Sequence, residues 1–444
     1  MGDVAYVARF TDTDNARRFA EEHGQELRYC WPWGRWLAWD DTRYVLEAGA
    51  QVQERAKLTV GRLGTDDDGE SKEDARARVR AQSAAGVRAM LELARSEPGI
   101  PVDPDDLDAD PYAFVAANGV LDLRTLELAP HDPERLVTRR SSIAWDADAA
   151  CPQWEAFLDR IMGGDADLIA WLQCAVGYSL TADTSEQAIF FCSGTGANGK
   201  STMLEVIRAL VGDYGQQAPS ELLMLSKSDK VPNELARLRG ARFVTVVETG
   251  EGQWLDAVRL KRLSGDDTVT ARFMRGEWFE FRPVAKLWLA TNHLPRVSGA
   301  DDAVWRRVRV VPFNVVIPEA ERDPDLRAKL GQELPGILRW AAEGAAIWHE
   351  TRLRTLTPAV VTATSSYRAE MDTLGAFLEA RTVDHELAVT TAADLYAAWR
   401  AYCVEIGEHP WSQRRFGTAM RRRGHQSRRT TGGLWVYDGL RLLQ

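Results

Sequence analysis

The sequence lacks the cysteine patterns that mark disulfide-bonded or zinc-binding proteins. Its five cysteines are widely scattered, and no two of them form a C-x-x-C pair. A disulfide framework or a zinc site usually needs such clustering or regular spacing. The pattern therefore favours reduced thiols in an intracellular protein.

Long apolar runs are also missing. No stretch approaches the roughly 20 consecutive apolar residues that a membrane-spanning helix needs. The first residues lack the basic and apolar regions of a secretory signal peptide. We therefore expect a soluble protein of the cytoplasm with no membrane partner.

The chain has no overall excess of positive charge. Lys and Arg number 55 against 65 Asp and Glu, which gives a formal net charge of −10. This balance argues against a protein that coats nucleic acid with its whole surface. Residues 412–430 are the exception, because they hold seven arginines and no acidic residue. This segment predicts a local DNA-binding surface, with Arg414, Arg415, Arg421 and Arg422 as its candidate contacts.

A glycine-rich loop is the most informative feature that the sequence does contain. Gly194–Ser201 matches G-x-x-x-x-G-K-S and lies between an apolar run and an amphipathic one. In such a loop, backbone N–H groups point at nucleotide phosphates, the lysine adds a positive charge and the serine hydroxyl binds Mg²⁺. We therefore predict that ATP and Mg²⁺ are bound, with Ser201 as a metal ligand. The predicted nucleotide-binding residues are Gly194, Thr195, Gly196, Ala197, Asn198, Gly199, Lys200, Ser201 and Thr202.

Short apolar strands alternate with helices from residue 188 to residue 313, the pattern of a parallel α/β nucleotide-binding sheet. Glu248 follows one of these strands, and a carboxylate there can order Mg²⁺-bound water or polarise an attacking water. Asn292 follows another, where an amide can contact the γ-phosphate. Both residues are also ordinary at the end of a strand. The predicted strands are Ala188–Cys192, Phe243–Val247, Lys286–Ala290 and Val308–Val311.

Two adjacent arginines, Arg306 and Arg307, precede the last of these strands. An arginine that reaches the γ-phosphate of a neighbouring subunit stabilises charge in the transition state of hydrolysis. The alternative is an ion pair on the surface with Asp301 or Asp302. The sequence leaves this choice open.

The C-terminal part has the element order of a winged helix. Thr391–Ile406 predicts an amphipathic helix, and Ser412 can cap a second helix that runs to Arg423. A Gly432-Gly433 turn and a strand at Leu434–Tyr437 follow. The second helix of a winged helix typically enters the major groove of DNA. The alternative is a solvated basic face on a structural cap.

These motifs, in this order and spacing, resemble superfamily 3 helicases, a branch of the AAA+ ATPases. Within that branch the sequence is most similar to phage and plasmid primase-helicases and to the poxvirus replicative helicase. The similarity covers most of the chain and is strongest from Gln187 to Phe313. Beyond the glycine-rich loop, it rests on the segments Asn118–Leu123, Gly177–Leu180, Lys261–Asp266, Thr270–Arg272, Leu289–Pro295, Trp305–Arg307 and Val311–Phe313.

The resemblance implies roles for individual residues. Lys200 and Ser201 are assigned to the triphosphate and Mg²⁺, Glu248 to the catalytic carboxylate and metal, and Asn292 to the sensor of hydrolysis. Arg307 is the preferred arginine finger, with Arg306 as its competitor. Many relatives have paired carboxylates where this chain has Glu248 and Thr249, so the sharing of the metal and base roles stays open.

The resemblance further implies a homo-oligomeric, hexameric ring with nucleotide between subunits and a β-hairpin in its central pore that grips single-stranded DNA. Thr268–Phe281 has the pattern of this hairpin. Arg272 and Arg275 are then candidate DNA contacts, together with Lys261. The alternative for all three is an exposed charge on a hairpin with no role in DNA binding.

The implied fold is α/β: an AAA+-type parallel-sheet ATPase core, preceded by a mainly helical domain and followed by a winged-helix-like domain. The predicted segments are a small N-terminal α+β segment at 1–60, a linker at 61–74, a helical pre-ATPase domain at 75–185, the ATPase domain at 186–350, a linker at 351–372 and the winged-helix-like domain at 373–444.

We therefore expect an ATP-dependent DNA helicase of phage or plasmid replication, acting on single-stranded and forked DNA in the host cytoplasm. No cluster of aspartates on strands precedes Asn118. We accordingly expect no primer synthesis by this chain and a separate primase or other replication proteins as partners. Two alternatives stay open, an ATP-dependent initiator or scaffold that does not unwind DNA, and a primase-helicase that retains priming.

Overall fold

The structure is a computed structural model that describes residues 10–47, 50–63, 72–225, 233–246, 252–265, 267–272, 278–297 and 302–443. The helices are α1 (Asp12–His23), α2 (Gln51–Gly61), α3 (Lys72–Ala81), α4 (Ala84–Ala94), α5 (Pro152–Met162), α6 (Ala166–Leu180), α7 (Lys200–Val211), α8 (Asn233–Arg237), α9 (Ala257–Ser264), α10 (Asp302–Trp305), α11 (Leu326–Gln332), α12 (Leu334–Thr351), α13 (Pro358–Glu370), α14 (Thr373–Arg381), α15 (Ala392–Glu405) and α16 (Gln413–Arg422). The strands are β1 (Leu27–Cys30), β2 (Arg35–Trp39), β3 (Tyr44–Leu46), β4 (Ala113–Ala116), β5 (Gly119–Asp122), β6 (Leu128–Ala129), β7 (Ile189–Ser193), β8 (Gly215–Ala218), β9 (Phe243–Val246), β10 (Val269–Arg272), β11 (Trp278–Phe281), β12 (Lys286–Thr291), β13 (Val308–Pro312), β14 (Thr382–Thr391), β15 (Ser427–Arg429) and β16 (Trp435–Leu442).

The central sheet is five-stranded and parallel, in the order β13-β7-β12-β9-β8. Four of its strands, β7, β9, β12 and β13, are largely apolar and buried, as parallel strands covered by helices are expected to be. The four strands predicted from the sequence are confirmed as β7, β9, β12 and β13. The fifth, β8, was not predicted, because its sequence Gly-Gln-Gln-Ala is polar and it lies at the edge of the sheet.

Alternating side chains of the sheet contribute to two separate apolar cores. Phe190 and Trp288 project from one face and stack with their ring centroids 4.2 Å apart. Phe191, Leu287 and Leu289 belong to the core on the opposite face. This two-residue period is what a strand dictates. The parallel pairing of β7 with β12 places the carboxyl ends of these two strands side by side.

Helices α5 and α6, from the predicted pre-ATPase domain, pack directly onto the first of these cores. The rings of Trp171 and Phe190 lie 6.0 Å apart, and both side chains are buried. Gly177 of α6 lies against the backbone of Gly344 and Ala345 in α12. The predicted boundary at residues 185 and 186 therefore does not separate two cores. Residues 75–185 also include the sheet β4-β5-β6, whose first hairpin turns at Ala117 and Asn118.

The N-terminal helices and the sheet β1-β2-β3 share a further core. Phe19 of α1 and Met90 of α4 are both fully buried in it. The predicted linker at 61–74 therefore joins two parts of one core, and α4 belongs with the N-terminal segment. α4 belongs to this core because its apolar stripe, which includes Met90, Leu91 and Ala94, is buried there.

The segment 351–372, predicted as a linker, contains the helix α13. Thr357 caps this helix, with its hydroxyl accepting from the N–H of Val360, and Pro358 occupies the first turn. Val360 and Tyr367 are buried in the two cores that flank the central sheet. The threonine-rich sequence reads as a connection, but burial of these two side chains stabilises a helix.

The C-terminal unit, residues 373–443, contains α14, β14, α15, α16, β15 and β16 in that order. Its antiparallel sheet has the order β14-β16-β15. Phe416 and Met420 of α16 face inward, as predicted, and pack with Phe377 and Trp399. Across all described residues, the helices are too short or too polar to cross a lipid bilayer.

Candidate nucleotide and nucleic-acid sites

The glycine-rich loop connects β7 to α7 at the carboxyl edge of the central sheet. Gly196 and Gly199 have φ angles of 105° and 81°, and Ala197 has a φ of 48°. Only glycine adopts the first two readily. A Cβ atom on Gly199 would lie 2.5 Å from Cγ2 of Ile161, and one on Gly194 would overlap the carbonyl of Phe313. The loop therefore needs glycine for both backbone angle and space.

Neighbouring segments hold the loop in shape. Nδ2 of Asn198 donates to the carbonyl of Phe313 at 3.1 Å, and the N–H of Ile317 donates to the carbonyl of Ala197 at 2.8 Å. The N–H of Phe313 donates to the carbonyl of Ser193 at 2.7 Å. The segment after β13 thus fixes the loop before any ligand binds, which lowers the entropic cost of binding.

Lys200 brings the loop and the predicted sensor residue together. Its side chain is only 5% exposed. Nζ donates to the carbonyl of Gly194 at 2.6 Å, to Oδ1 of Asn198 at 3.1 Å and to Oδ1 of Asn292 at 3.1 Å. The contact with Asn292 arises because β12 lies beside β7, with Thr291 paired to Ser193. Two residues 92 positions apart therefore meet at one point.

The donors at this point fit a polyphosphate. Backbone N–H groups at the start of α7, a buried ammonium group and the hydroxyls of Ser201 and Thr202 converge on the loop. Thr195 and Ser201 are exposed, while Thr202 is half-buried. Beneath the loop, burial raises the pKa of the Cys192 thiol to about 12, although nearby Lys200 lowers it. That thiol is therefore neutral and takes no part in chemistry at neutral pH.

Two predicted site residues lie outside the described residues. Glu248, the predicted catalytic carboxylate and metal ligand, follows β9, of which Val246 is the last described residue. Arg275, a predicted DNA contact, follows β10, of which Arg272 is the last described residue.

The predicted arginine fingers lie at the opposite edge of the sheet from the glycine-rich loop. The N–H of Ile189, the first residue of β7, donates to the carbonyl of Arg307 at 2.8 Å. Five residues of strand separate Ile189 from the loop, about 16 Å at 3.3 Å per residue. Arg307 is 6% exposed and its Nη1 donates to the carbonyl of Ala303 at 2.7 Å. Arg306 is exposed, with Nη2 donating to Oε1 of Gln187 at 3.1 Å.

The hairpin predicted at Thr268–Phe281 is present in its described part. β10 pairs antiparallel with β11, with Arg272 opposite Trp278. The guanidinium carbon of Arg272 lies 4.8 Å from the Trp278 ring centroid, and the tryptophan is 52% exposed. Lys261 is half-buried on α9. The sequence interpretation missed Trp278; its position opposite a candidate arginine was the available clue.

The predicted basic surface of the C-terminal unit is formed by α16. Each of Arg414, Arg415, Arg421 and Arg422 is exposed on this helix. Arg415 also lies over the Trp411 ring, 4.7 Å from its centroid. Arg423, at the end of the helix, pairs instead with Asp372.

The sequence matches two described protein families. Residues 16–163 match the family described as D5 N terminal like. Residues 192–307, which include most of the central sheet, match a family of unknown function (DUF5906).

Several viral replication proteins are similar to this chain. A candidate helicase of Acanthamoeba polyphaga mimivirus is 30% identical over 223 residues, which cover 48% of this chain and 23% of the relative. A candidate helicase of Frog virus 3 is 29% identical over 244 residues, covering 50% and 25%. A candidate primase of African swine fever virus is 23% identical over 348 residues, covering 68% and 34%.

The resemblance to viral primase-helicases is confirmed. The chain spans between 23% and 34% of the length of these three curated relatives. Two apo structures of the C-terminal region of NrS-1 share the fold at 10% identity, with TM-scores of 0.50 and 0.51. They cover 97% and 96% of this chain, and this chain covers 100% and 98% of theirs.

Proposed function

We propose that this protein is an ATP-driven DNA helicase that works as a ring. One observation carries the proposal: the buried ammonium of Lys200 joins the glycine-rich loop to Asn292, 3.1 Å away, at the carboxyl edge of a parallel sheet. The similarity to candidate helicases of viruses supports the same reading.

The residues of the loop would hold a nucleoside triphosphate with Mg²⁺. Lys200 and the N–H groups at the start of α7 would bind the phosphates, and Ser201 would provide a hydroxyl for the metal. Bound Mg²⁺ neutralises charge on the phosphates. Glu248 would orient and polarise the attacking water, while Asn292 would report on the γ-phosphate.

Hydrolysis would require a second copy of the chain. Because the arginine pair lies about 16 Å from the loop of its own chain along the strands, it cannot complete its own site. A ring places the arginines of one subunit at the loop of the next. The exposure of Arg306 favours it as the finger over Arg307, whose guanidinium is held within the chain.

Two surfaces would bind DNA. The β10–β11 hairpin offers Arg272 beside exposed Trp278, a combination of a phosphate contact and a stacking ring, with Arg275 and Lys261 as further candidates. The C-terminal unit would act as a winged helix, since its elements follow the order helix, strand, helix, helix, strand, strand. Its exposed α16 would then lie in the major groove.

The decisive experiment measures unwinding of a forked duplex with ATP and Mg²⁺. We expect unwinding by the wild type and none by Lys200→Ala, because the phosphate-binding charge is lost. Lys57→Ala is the matched control, since Lys57 is an exposed lysine of the N-terminal helix α2, paired with Glu54. Wild-type protein that hydrolyses ATP on DNA but separates no strands would refute the helicase.

That last outcome would favour an ATP-dependent initiator or scaffold. The similarity to a candidate primase keeps priming as a further alternative. Incorporation of labelled nucleotides on a single-stranded template by the purified chain would support it.

A further inference from the structure

The tip of the β15–β16 hairpin, residues Arg429–Trp435, exposes large apolar side chains. Leu434 is 61% exposed and Trp435 is 55% exposed. The tip is itself well defined: the N–H of Thr430 donates to the carbonyl of Leu434 at 2.8 Å, and Gly433 turns the chain with a φ of 85°. A rigid turn therefore presents an indole ring to solvent.

The ring of Trp435 lies on the face of the sheet that carries α16. Trp435 and Tyr437 are two residues apart on β16, so their side chains share a face. Tyr437 is buried, and a Cβ atom on Gly417 of α16 would lie 3.7 Å from its hydroxyl. The strand thus runs from beneath α16 toward the hairpin tip, where Trp435 has no such cover.

Positive charge surrounds this exposed ring. Arg429 pairs directly across from Trp435 and is exposed, with Nε donating to the carbonyl of Gly433 at 3.3 Å. Arg428 lies on the opposite face and is paired with Asp438, at 2.8 Å between Nη2 and Oδ1. Residues 412–443 contain eight arginines and one acidic residue, Asp438. This excess of positive charge favours a polyanion, such as DNA, over an uncharged apolar protein surface as the partner.

We propose that Trp435 stacks on the first unpaired base at the junction between single-stranded and double-stranded DNA, with Arg429 on the adjacent phosphate. Inside a duplex, every base face is already covered by its neighbours. At a junction, one base face is open to a flat ring while the duplex remains available to α16. The inference rests on the proposed function, because it specifies which DNA structure the C-terminal unit recognises.

The test compares binding of the full chain to three labelled DNAs of matched sequence: a forked duplex, a blunt duplex and a single strand. We expect Trp435→Ala to weaken binding to the fork by about tenfold, the fold-change of one base–aromatic stack. Binding to the blunt duplex should change less than about twofold, because its internal base faces are covered, and binding to the single strand should fall less than binding to the fork, because no duplex is then bound by α16 beside the ring. Trp435→Phe should restore most of the fork affinity, because it retains a ring.

Trp31→Ala is the matched control, since Trp31 is 54% exposed in the N-terminal segment. The double variant Arg414→Ala, Arg421→Ala should weaken binding to the fork and to the blunt duplex by similar factors. It should therefore leave the preference for the fork over the blunt duplex unchanged. Unchanged fork binding by Trp435→Ala, while the wild type unwinds DNA, would overturn this inference and leave the helicase intact. If Trp435→Ala loses the preference for the fork but the wild type does not unwind DNA, this inference is supported and the helicase proposal is refuted. Wild-type protein that binds none of the three DNAs would overturn both.

Discussion

Lys286, the first residue of β12, is buried at 1% exposure, and its described hydrogen bonds go to backbone carbonyls, with the charge of Asp183 only partly offsetting its burial. Its Nζ donates to the carbonyls of Thr181 at 2.5 Å and Val284 at 3.1 Å, and it lies 4.7 Å from the Tyr178 ring centroid. Burial lowers the pKa of this lysine well below its ordinary value of 10.5, and the charge of Arg242 lowers it further.

This lysine should make stability depend on pH. Between its folded pKa and 10.5, the unfolded chain keeps a proton that the folded chain has lost, so its contribution to stability rises with pH. We expect the difference in unfolding free energy between wild type and Lys286→Met to rise toward pH 10.5, by at most about 1.4 kcal/mol per pH unit. Denaturant unfolding of both proteins at several alkaline pH values measures it. A difference that stays flat or falls would contradict the lowered pKa.

Single residues differ in how far the sequence determines their environment. The contact of Lys200 with Asn292 was foreseeable in outline, because both follow adjacent strands of a sheet whose carboxyl ends meet. The burial of Arg307 beside exposed Arg306 was not foreseeable. It depends on the last turn of α10, which holds one guanidinium at the carbonyl of Ala303 and leaves the other outside.

At the scale of elements, α6 and α12 make a close contact at two glycines. A Cβ atom on Gly177 would overlap the backbone of Gly344 and Ala345, and one on Gly344 would overlap the carbonyl of Gln173. Neither position can yield by moving a flexible side chain. The two helices therefore pack closely only because both residues lack a side chain.

We expect Gly177→Ala and Gly344→Ala each to destabilise the protein by about 1–3 kcal/mol, the typical cost of overpacking. Gly331→Ala is the control, because this glycine of α11 has nothing within 4 Å of an added Cβ atom. It should raise stability by about 0.5–1 kcal/mol through helix propensity. Thermal melting of the three variants decides the matter. Equal midpoints for Gly177→Ala and Gly331→Ala would refute the close contact.

Elements with strong apolar patterns were predictable, and those stabilised by their surroundings were not. β7, β9, β12 and β13 are buried and apolar, so composition alone located them. The polar edge strand β8 exists because β9 offers it a pairing partner. The helix α13 forms because its two buried side chains pack into the cores that flank the central sheet. Its threonine-rich sequence does not by itself predict this packing.

At the scale of the whole molecule, the separation of the arginine pair from the loop can be tested by mixing subunits. An Arg306→Ala protein and a Glu248→Gln protein should each be inactive, with a finger worth about 10³–10⁵ in rate. Mixed, they should regain part of the ATPase activity, because some neighbouring subunits then supply one intact arginine and one intact carboxylate.

Two further variants make the mixing experiment specific. Arg307→Ala should chiefly lower the melting temperature, because it removes a buried group bonded to Ala303. Arg354→Ala, at an exposed arginine outside the sheet, should retain full activity. If Arg307→Ala is folded but inactive alone and regains activity when mixed with Glu248→Gln, while no mixture containing Arg306→Ala does so, the assignment to Arg306 is wrong.

The C-terminal unit is also tied to the loop that follows the sensor strand. Arg296 pairs with Glu408 at 2.5 Å, and the guanidinium of Arg296 lies 5.8 Å from the Trp254 ring centroid. The hydroxyl of Tyr367 donates to the carbonyl of Pro295. Sequence patterns identified the two parts separately, but this junction joins residues more than 70 positions apart and left no local trace.

In the proposed ring, the loop that would bind phosphate lies at one end of β7 and the arginines lie at the other, so the two halves of the proposed site do not meet within one copy. Dilution would then abolish hydrolysis, because a single chain could bind nucleotide but could not hydrolyse it. The rate of hydrolysis per chain would rise steeply with protein concentration. A cell could therefore hold the monomeric form while consuming almost no ATP.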